Sequence, residues 1–208
     1  MKGCRPLSFD EVERVLSVFD GRNETRDRTM FVLGINSGFR ISELLSLRIS
    51  DVIHNKRVRR VVEVKRRHMK RKLEGRQIRL NKHAQCALFE LIREHHRRGT
   101  WCHNSFLFKS EHGKNSPITR VRAYQVLIKA FGQAGVMGKL GTHSMRKTFG
   151  NNIYDYMLQL NADGVPVDPF RETAKALGHK DIKNTENYLS FKNEHLNNAI
   201  ENLTYCKE

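Results

Sequence analysis

One segment breaks an otherwise helical rhythm in this chain. Val58, Val61, Val62 and Val64 form a β-branched run, and Ile78 and Leu80 form a second one after Gly75. Between them lies Lys65-Arg66-Arg67-His68-Met69-Lys70-Arg71-Lys72, so the two runs read as an antiparallel hairpin with a basic tip. Such a tip also serves as a solvated edge that discourages strand aggregation, so charge alone gives it no task. A short apolar patch at Phe106-Leu107-Phe108 offers a third strand. Helical patterning surrounds the hairpin on both sides. The fold class is therefore mainly α with a small antiparallel β-sheet (α+β).

The helices announce themselves locally. Ser8-Phe9-Asp10-Glu11 is a capping box, and Val12, Val15, Leu16 and Phe19 follow at helical spacing before Asp20-Gly21 breaks the run. A second helix is expected from about Asn23 to Ser37, closed by Gly38 in a left-handed cap. A third starts near Ile41 with Leu44, Leu45 and Leu47 turned inward. Periodicity returns through Ala84, Leu88, Leu91 and Ile92, and further helices are expected at about 119–134, 143–160, 171–177, 181–189 and 193–203. Gly164, Pro166 and Pro169 make 161–169 a loop. No repeat and no linker divides the chain, so 1–208 is expected to be a single domain.

Charge narrows the partner. Lys and Arg number 38 against 22 Asp and Glu, a net charge of +16 on 208 residues. A surplus of this size favours a polyanion, above all nucleic acid, over a ribosome-associated or membrane-surface role. No apolar run approaches the roughly 20 residues that span a bilayer, and the N-terminus lacks a signal-peptide pattern. The four cysteines, at 4, 86, 102 and 206, are too scattered for a disulfide scaffold. A cytoplasmic, nucleoid-associated protein is the expectation.

Three short segments carry chemistry. In Gly38-Phe39-Arg40-Ile41-Ser42-Glu43-Leu44, a carboxylate follows an arginine at helical spacing and can hold its guanidinium still. Most such pairs are surface salt bridges of little worth. In Thr142-His143-Ser144-Met145-Arg146, a histidine and an arginine share one helical face near a helix start, where an anion is favoured. The third is Leu177-Gly178-His179, with Tyr188 nine residues after the histidine. Singly, each has a bland structural explanation.

Together and in this order, the segments resemble the tyrosine recombinase (phage-type integrase) family, whose catalytic domain would run from about residue 7 to the end. The resemblance implies catalytic roles for Arg40, His143, Arg146, His179 and Tyr188, with Glu43 supporting Arg40. It also implies a hairpin lysine. Counting back ten from Leu80 gives Lys70, with Lys72 the second choice. Lys65, Arg66, Arg67 and Lys72 would then follow the DNA backbone, as would Arg93, Arg97 and Arg98. The implied enzyme is a site-specific DNA recombinase of integrase or invertase type. Tyr188 would attack phosphorus to give a 3′-phosphotyrosyl intermediate, without metal, ATP or other cofactor.

The implied partners are double-stranded DNA, further copies in a homotetramer on DNA from a monomer or dimer in solution, and accessory DNA-bending proteins. Residues 190–208, amphipathic through Leu196, Ala199, Ile200 and Leu203, would pack on their own core or on a neighbouring protomer. The catalytic pattern begins at once, so the expectation is a catalytic domain without core-binding or arm-binding domains, similar in size to the short fimbrial phase-variation recombinases. A non-catalytic, sequence-specific DNA-binding regulator is the alternative, and it gives no reason for these residues in this order. A zinc site at His95, His96, Cys102 and His103 is disfavoured, because no paired ligand spacing is present.

Overall fold

The computed structural model describes residues 3–64, 76–179, 182–189 and 200–201. The chain divides into two compact units, Met1–Asn152 and Ile153–Glu208. Among the described residues, no helix is long and apolar enough to cross a membrane.

The first unit opens with α1 (Phe9–Ser17), whose N-cap is the expected capping box. The Ser8 hydroxyl accepts from the Glu11 amide and the Glu11 carboxylate accepts from the Ser8 amide. Glu11 also receives both terminal nitrogens of Arg5, at 2.6 and 2.8 Å. The Arg5 amide donates to the Lys139 carbonyl at 2.9 Å, which ties the N-terminal segment to the loop before residue 142.

Helix α2 (Glu24–Ser37) is the buried pillar of this unit, with Met30, Phe31 and Leu33 fully enclosed. It presents no single apolar stripe, as expected for a helix covered on most sides. Helices α3 (Ile41–Ser46) and α4 (Ile49–Val52) follow, then α5 (Lys82–Arg97) and α6 (Arg120–Gln133). The Thr29 hydroxyl on α2 donates to the Ala87 carbonyl on α5, and the Phe31 ring meets Phe131 of α6 edge-on at 6.3 Å.

The sheet differs in detail from the sequence expectation. Val58 belongs to a separate two-residue hairpin, β1 (Ile53–His54) with β2 (Arg57–Val58). Asn55 and Lys56 form its tip with φ of 48° and 61°, the turn whose twist suits tightly joined strands. The main hairpin pairs β3 (Val61–Val64) with β4 (Arg76–Arg79) in antiparallel register, Val62 opposite Ile78. Val62 and Val64 face the core while Val61 and Glu63 face out, the alternation of a sheet buried on one side. Leu80 lies just past β4, buried, its amide donating to the Arg60 carbonyl.

Residues 106–108 form no strand. Leu107 donates to Leu47 on one side and Phe108 accepts from Ile118 on the other, so pairing changes partner at each step and no ladder extends. The patch contributes Leu107 and Phe108 to the core instead. The basic tip, with Lys65, Arg66, Arg67, Lys70 and Lys72, lies outside the described residues. So does most of 190–208.

Helix α7 (Thr142–Ala162) begins in the first unit and ends in the second. It runs two residues into the expected loop. Gly164 at φ 84° then turns the chain, and Val165 donates back to the Leu160 carbonyl. Asp168 caps α8 (Pro169–Leu177) by accepting from the Arg171 amide, with Pro169 in the first helical position. Within the second unit, Tyr154 meets Phe170 edge-on at 4.9 Å. Helix α9 (Ile182–Leu189) follows.

Candidate active site

The first arginine is presented by a turn that tolerates little else. Gly38 ends α2 at φ 58°, and an added Cβ there would run into the Phe149 ring. One turn earlier, a Cβ on Gly34 would lie 2.5 Å from the Met145 sulfur. Gly34 on α2 and Gly38 at its C-terminal cap thus receive two large side chains of α7. Phe39 is buried, and Arg40 turns the chain into α3.

Glu43 holds Arg40 by two hydrogen bonds. The Arg40 amide donates to Oε2 at 2.8 Å, and its Nη1 donates to Oε1 at 2.9 Å. The Glu43 side chain is 2% exposed and that of Arg40 is 39% exposed. The carboxylate is therefore inside and satisfied, while the guanidinium is fixed at one edge and open to solvent elsewhere. A charge-assisted contact of this kind contributes about 1.5–3 kcal/mol.

The start of α7 supplies the second group of residues. Arg146 is buried, and its Nη1 donates to the Gly38 carbonyl oxygen. His143 is exposed, yet its pKa lies below the usual histidine value, first through partial desolvation and then through the charges of Arg146, Arg40 and Lys147. The ring is neutral near pH 7 and able to accept a proton. Burial also lowers the pKa of Lys147, partly offset by Cys4. Thr148 braces the helix, its hydroxyl donating to the Ser144 carbonyl while accepting from the Leu7 amide, both at 2.9 Å.

In the second unit, Gly178 caps α8 at φ 62°, and the His179 amide donates back to the Ala174 carbonyl. The His179 Nδ1 lies 2.9 Å from the Thr185 hydroxyl on α9. Tyr188 follows Thr185 by three positions on that helix. Arg40, Glu43, His143 and Arg146 are thus gathered in the first unit, and His179 and Tyr188 stand on consecutive segments of the second.

Three contributors escape the sequence reading. The Gly38 carbonyl acts through its backbone and leaves no residue-type signal. Lys147 adjoins Arg146 but carries no motif of its own. Thr185 had one legible signal, its place three residues before Tyr188.

Other expected positions find ordinary duties. Arg97 and Arg98 pair with Glu94, which partly neutralises charge assigned above to the DNA backbone. Lys56, Arg57, Arg59 and Arg60, around the β1–β2 hairpin, have no ion pair among the described residues. His95 engages Thr100 and the Leu107 carbonyl through its two ring nitrogens, while His96 and His103 pack on Trp101.

Residues 5–195 match the profile of the Phage integrase family. The chain is 33% identical over 147 residues to the "Probable integrase/recombinase YoeC" of Bacillus subtilis (strain 168), covering 71% of this chain and 72% of that protein. It is 27% identical over 187 residues to the "Tyrosine recombinase XerD" of Oceanobacillus iheyensis, covering 88% of this chain and 56% of that one. In fold it is similar to the crystal structure of XerA recombinase, with a TM-score of 0.69 at 21% identity over 98% of this chain and 66% of that one. The catalytic domain of bacteriophage HP1 integrase has the same fold, with a TM-score of 0.58 at 18% identity over 96% of this chain and 95% of that one. A family match across nearly the whole chain, joined to the YoeC likeness, establishes that the chain belongs to the phage integrase family of tyrosine recombinases.

Proposed function

We propose that this protein is a site-specific DNA recombinase that cuts and rejoins DNA through Tyr188. One observation carries the reading: Arg40, Arg146 and a histidine held neutral by partial burial and by their charges are gathered where α7 meets the loop after α2. Two guanidiniums there suit the non-bridging oxygens of a phosphodiester, whose charge grows as the nucleophile adds.

The remaining roles are those the family resemblance implies, and the chemistry is consistent with them. The Tyr188 phenol, with an ordinary pKa of about 10, must lose its proton as it attacks phosphorus, and His143 accepts it. His179 donates to a non-bridging oxygen of the pentacoordinate transition state, and Lys70 protonates the departing 5′-oxygen. The product is a 3′-phosphotyrosine, which an incoming 5′-hydroxyl reverses, so the bond energy is kept without ATP. Arginine, lysine and histidine charges do the work that metal ions do in other phosphoryl transfers. Lys65, Arg66, Arg67 and Lys72 follow the backbone of duplex DNA, several protomers assemble as a tetramer on it, and accessory proteins bend it. Two solved structures of similar fold, XerH recombinase bound to difH substrate and the Tn1549 transposon integrase in complex with transposon right end DNA, support DNA as the partner.

The test is incubation of the protein and its Tyr188→Phe variant with nicked duplexes from its own genomic neighbourhood. A detergent-resistant protein–DNA adduct is expected with the wild type and none with the variant. A DNA-binding regulator would shift the duplex on a gel and form no adduct in either case.

A further inference from the structure

One buried polar contact in the second unit has no task in the chemistry above. Thr185 is fully buried, and among the described residues its hydroxyl hydrogen-bonds only with Nδ1 of His179, at 2.9 Å. Packing alone would not select a hydroxyl there. Valine has nearly the same shape, and a buried hydroxyl left unpaired is destabilising.

The backbone of His179 is already fixed. Gly178 holds the left-handed cap, and the His179 amide is bonded to Ala174. The side-chain contact at Nδ1 bears on two further variables, the rotation of the ring and the choice of which nitrogen carries the proton. The Thr185 hydroxyl acts on both. Its element matters too. Positions 185 and 188 lie three apart on α9 and so share a face of that helix.

We propose that Thr185 is a positioning residue that sets the tautomer and aim of His179. Its hydroxyl donates to Nδ1, the ring proton resides on Nε2, and Nε2–H is the donor offered to the scissile phosphate. The inference rests on the recombinase reading for its consequence, though not for the tautomer itself. Because the hydroxyl stands on the helix of Tyr188, the same bond registers the phosphate donor against the nucleophile's helix. The donor and the helix that carries the attacking residue are then set by one contact rather than two.

Two measurements test it. Nitrogen-15 NMR of the full chain labelled in histidine, recorded above the titration of the ring, is expected to show His179 protonated on Nε2, and Thr185→Val is expected to lose that single tautomer. A wild-type ring protonated on Nδ1 overturns the proposal. This readout stands even if no adduct forms, an outcome that would sink the recombinase reading instead.

The second measurement is the rate of adduct formation on a nicked duplex. Thr185→Val is expected to slow it about tenfold, with non-covalent DNA affinity unchanged and Thr185→Ser within about threefold of wild type. His179→Ala combined with Thr185→Val is expected to be no slower than His179→Ala alone. Multiplying losses in the double variant, or a serine variant as slow as the valine one, would show a packing role and overturn the proposal.

Discussion

The buried guanidinium of Arg146 donates to the carbonyl oxygen of Gly38, two residues before Arg40. The second arginine is thus anchored on the turn that presents the first. Neither relies on a flexible surface contact. Arg40 is held by an enclosed carboxylate, and Arg146 by a carbonyl whose own position is set by a left-handed glycine. Preorganised donors of this kind avoid reorganisation as charge builds on phosphorus.

Gly38→Ala should therefore damage fold and activity together. The side chain meets Phe149 and must adopt φ near 58°. A loss of about 2–4 kcal/mol in unfolding free energy is expected by chemical denaturation. Adduct formation should fall even at temperatures where the variant remains folded, because the acceptor of Arg146 has moved.

Glu43→Gln preserves an acceptor for the Arg40 amide but removes the charge facing its guanidinium. A modest destabilisation of about 1–2 kcal/mol is expected, with adduct formation slowed about tenfold. Glu43→Ala should be worse in both assays, since the Arg40 amide then loses its partner. Equal rates for Glu43→Gln and wild type would show that the buried charge has no part in aiming Arg40.

The lowered pKa of His143 predicts an acid limb in the rate. The neutral ring is the proton acceptor, so adduct formation should rise with pH through a value below 6.5 and then level off. Rates on a nicked duplex across buffers from about pH 4 to 8 would trace it. His143→Ala should remove the limb along with most of the activity.

Stability has its own acid dependence, set by two other groups. Burial lowers the pKa of His95, so its contribution is present above the unfolded value near 6.5 and is lost as pH falls through the lower folded value. The hydrogen bonds from Arg5 bring Glu11 to about 2, so that contribution is present above 4.5 and fades as pH falls toward 2. Thermal melts should show two separate declines, and Glu11→Gln should flatten only the more acidic one. A Glu11→Gln variant with an unchanged profile below pH 4.5 would rule out this pair as the source.

What could be read from the sequence was decided over a few residues. The Ser8–Glu11 box, the Gly38 cap and the Arg40–Glu43 pair all form within a single turn, and each stands as expected. The errors arose where distant chain decides. Val58 reads as continuous with Val61 until the tight turn at Asn55 and Lys56 separates the hairpins. Phe106-Leu107-Phe108 has strand composition, but its backbone partners lie on unconnected segments. The acceptor of Arg146 lies 108 residues away and is a glycine carbonyl, which no residue pattern records. Thr185 was in plain view, but only the ring beside it gives its hydroxyl a purpose.

Gly34 and Gly38, set against Met145 and Phe149, also limit how this scaffold can change over time. Bulk gained at position 34 has to be surrendered at position 145, so the two would drift by paired exchange rather than by single steps. Position 38 has no such escape, because a smaller ring at 149 leaves its backbone angle unchanged. Variation should therefore gather on the outer faces of α2 and α7, while the seam between them changes slowly or in pairs.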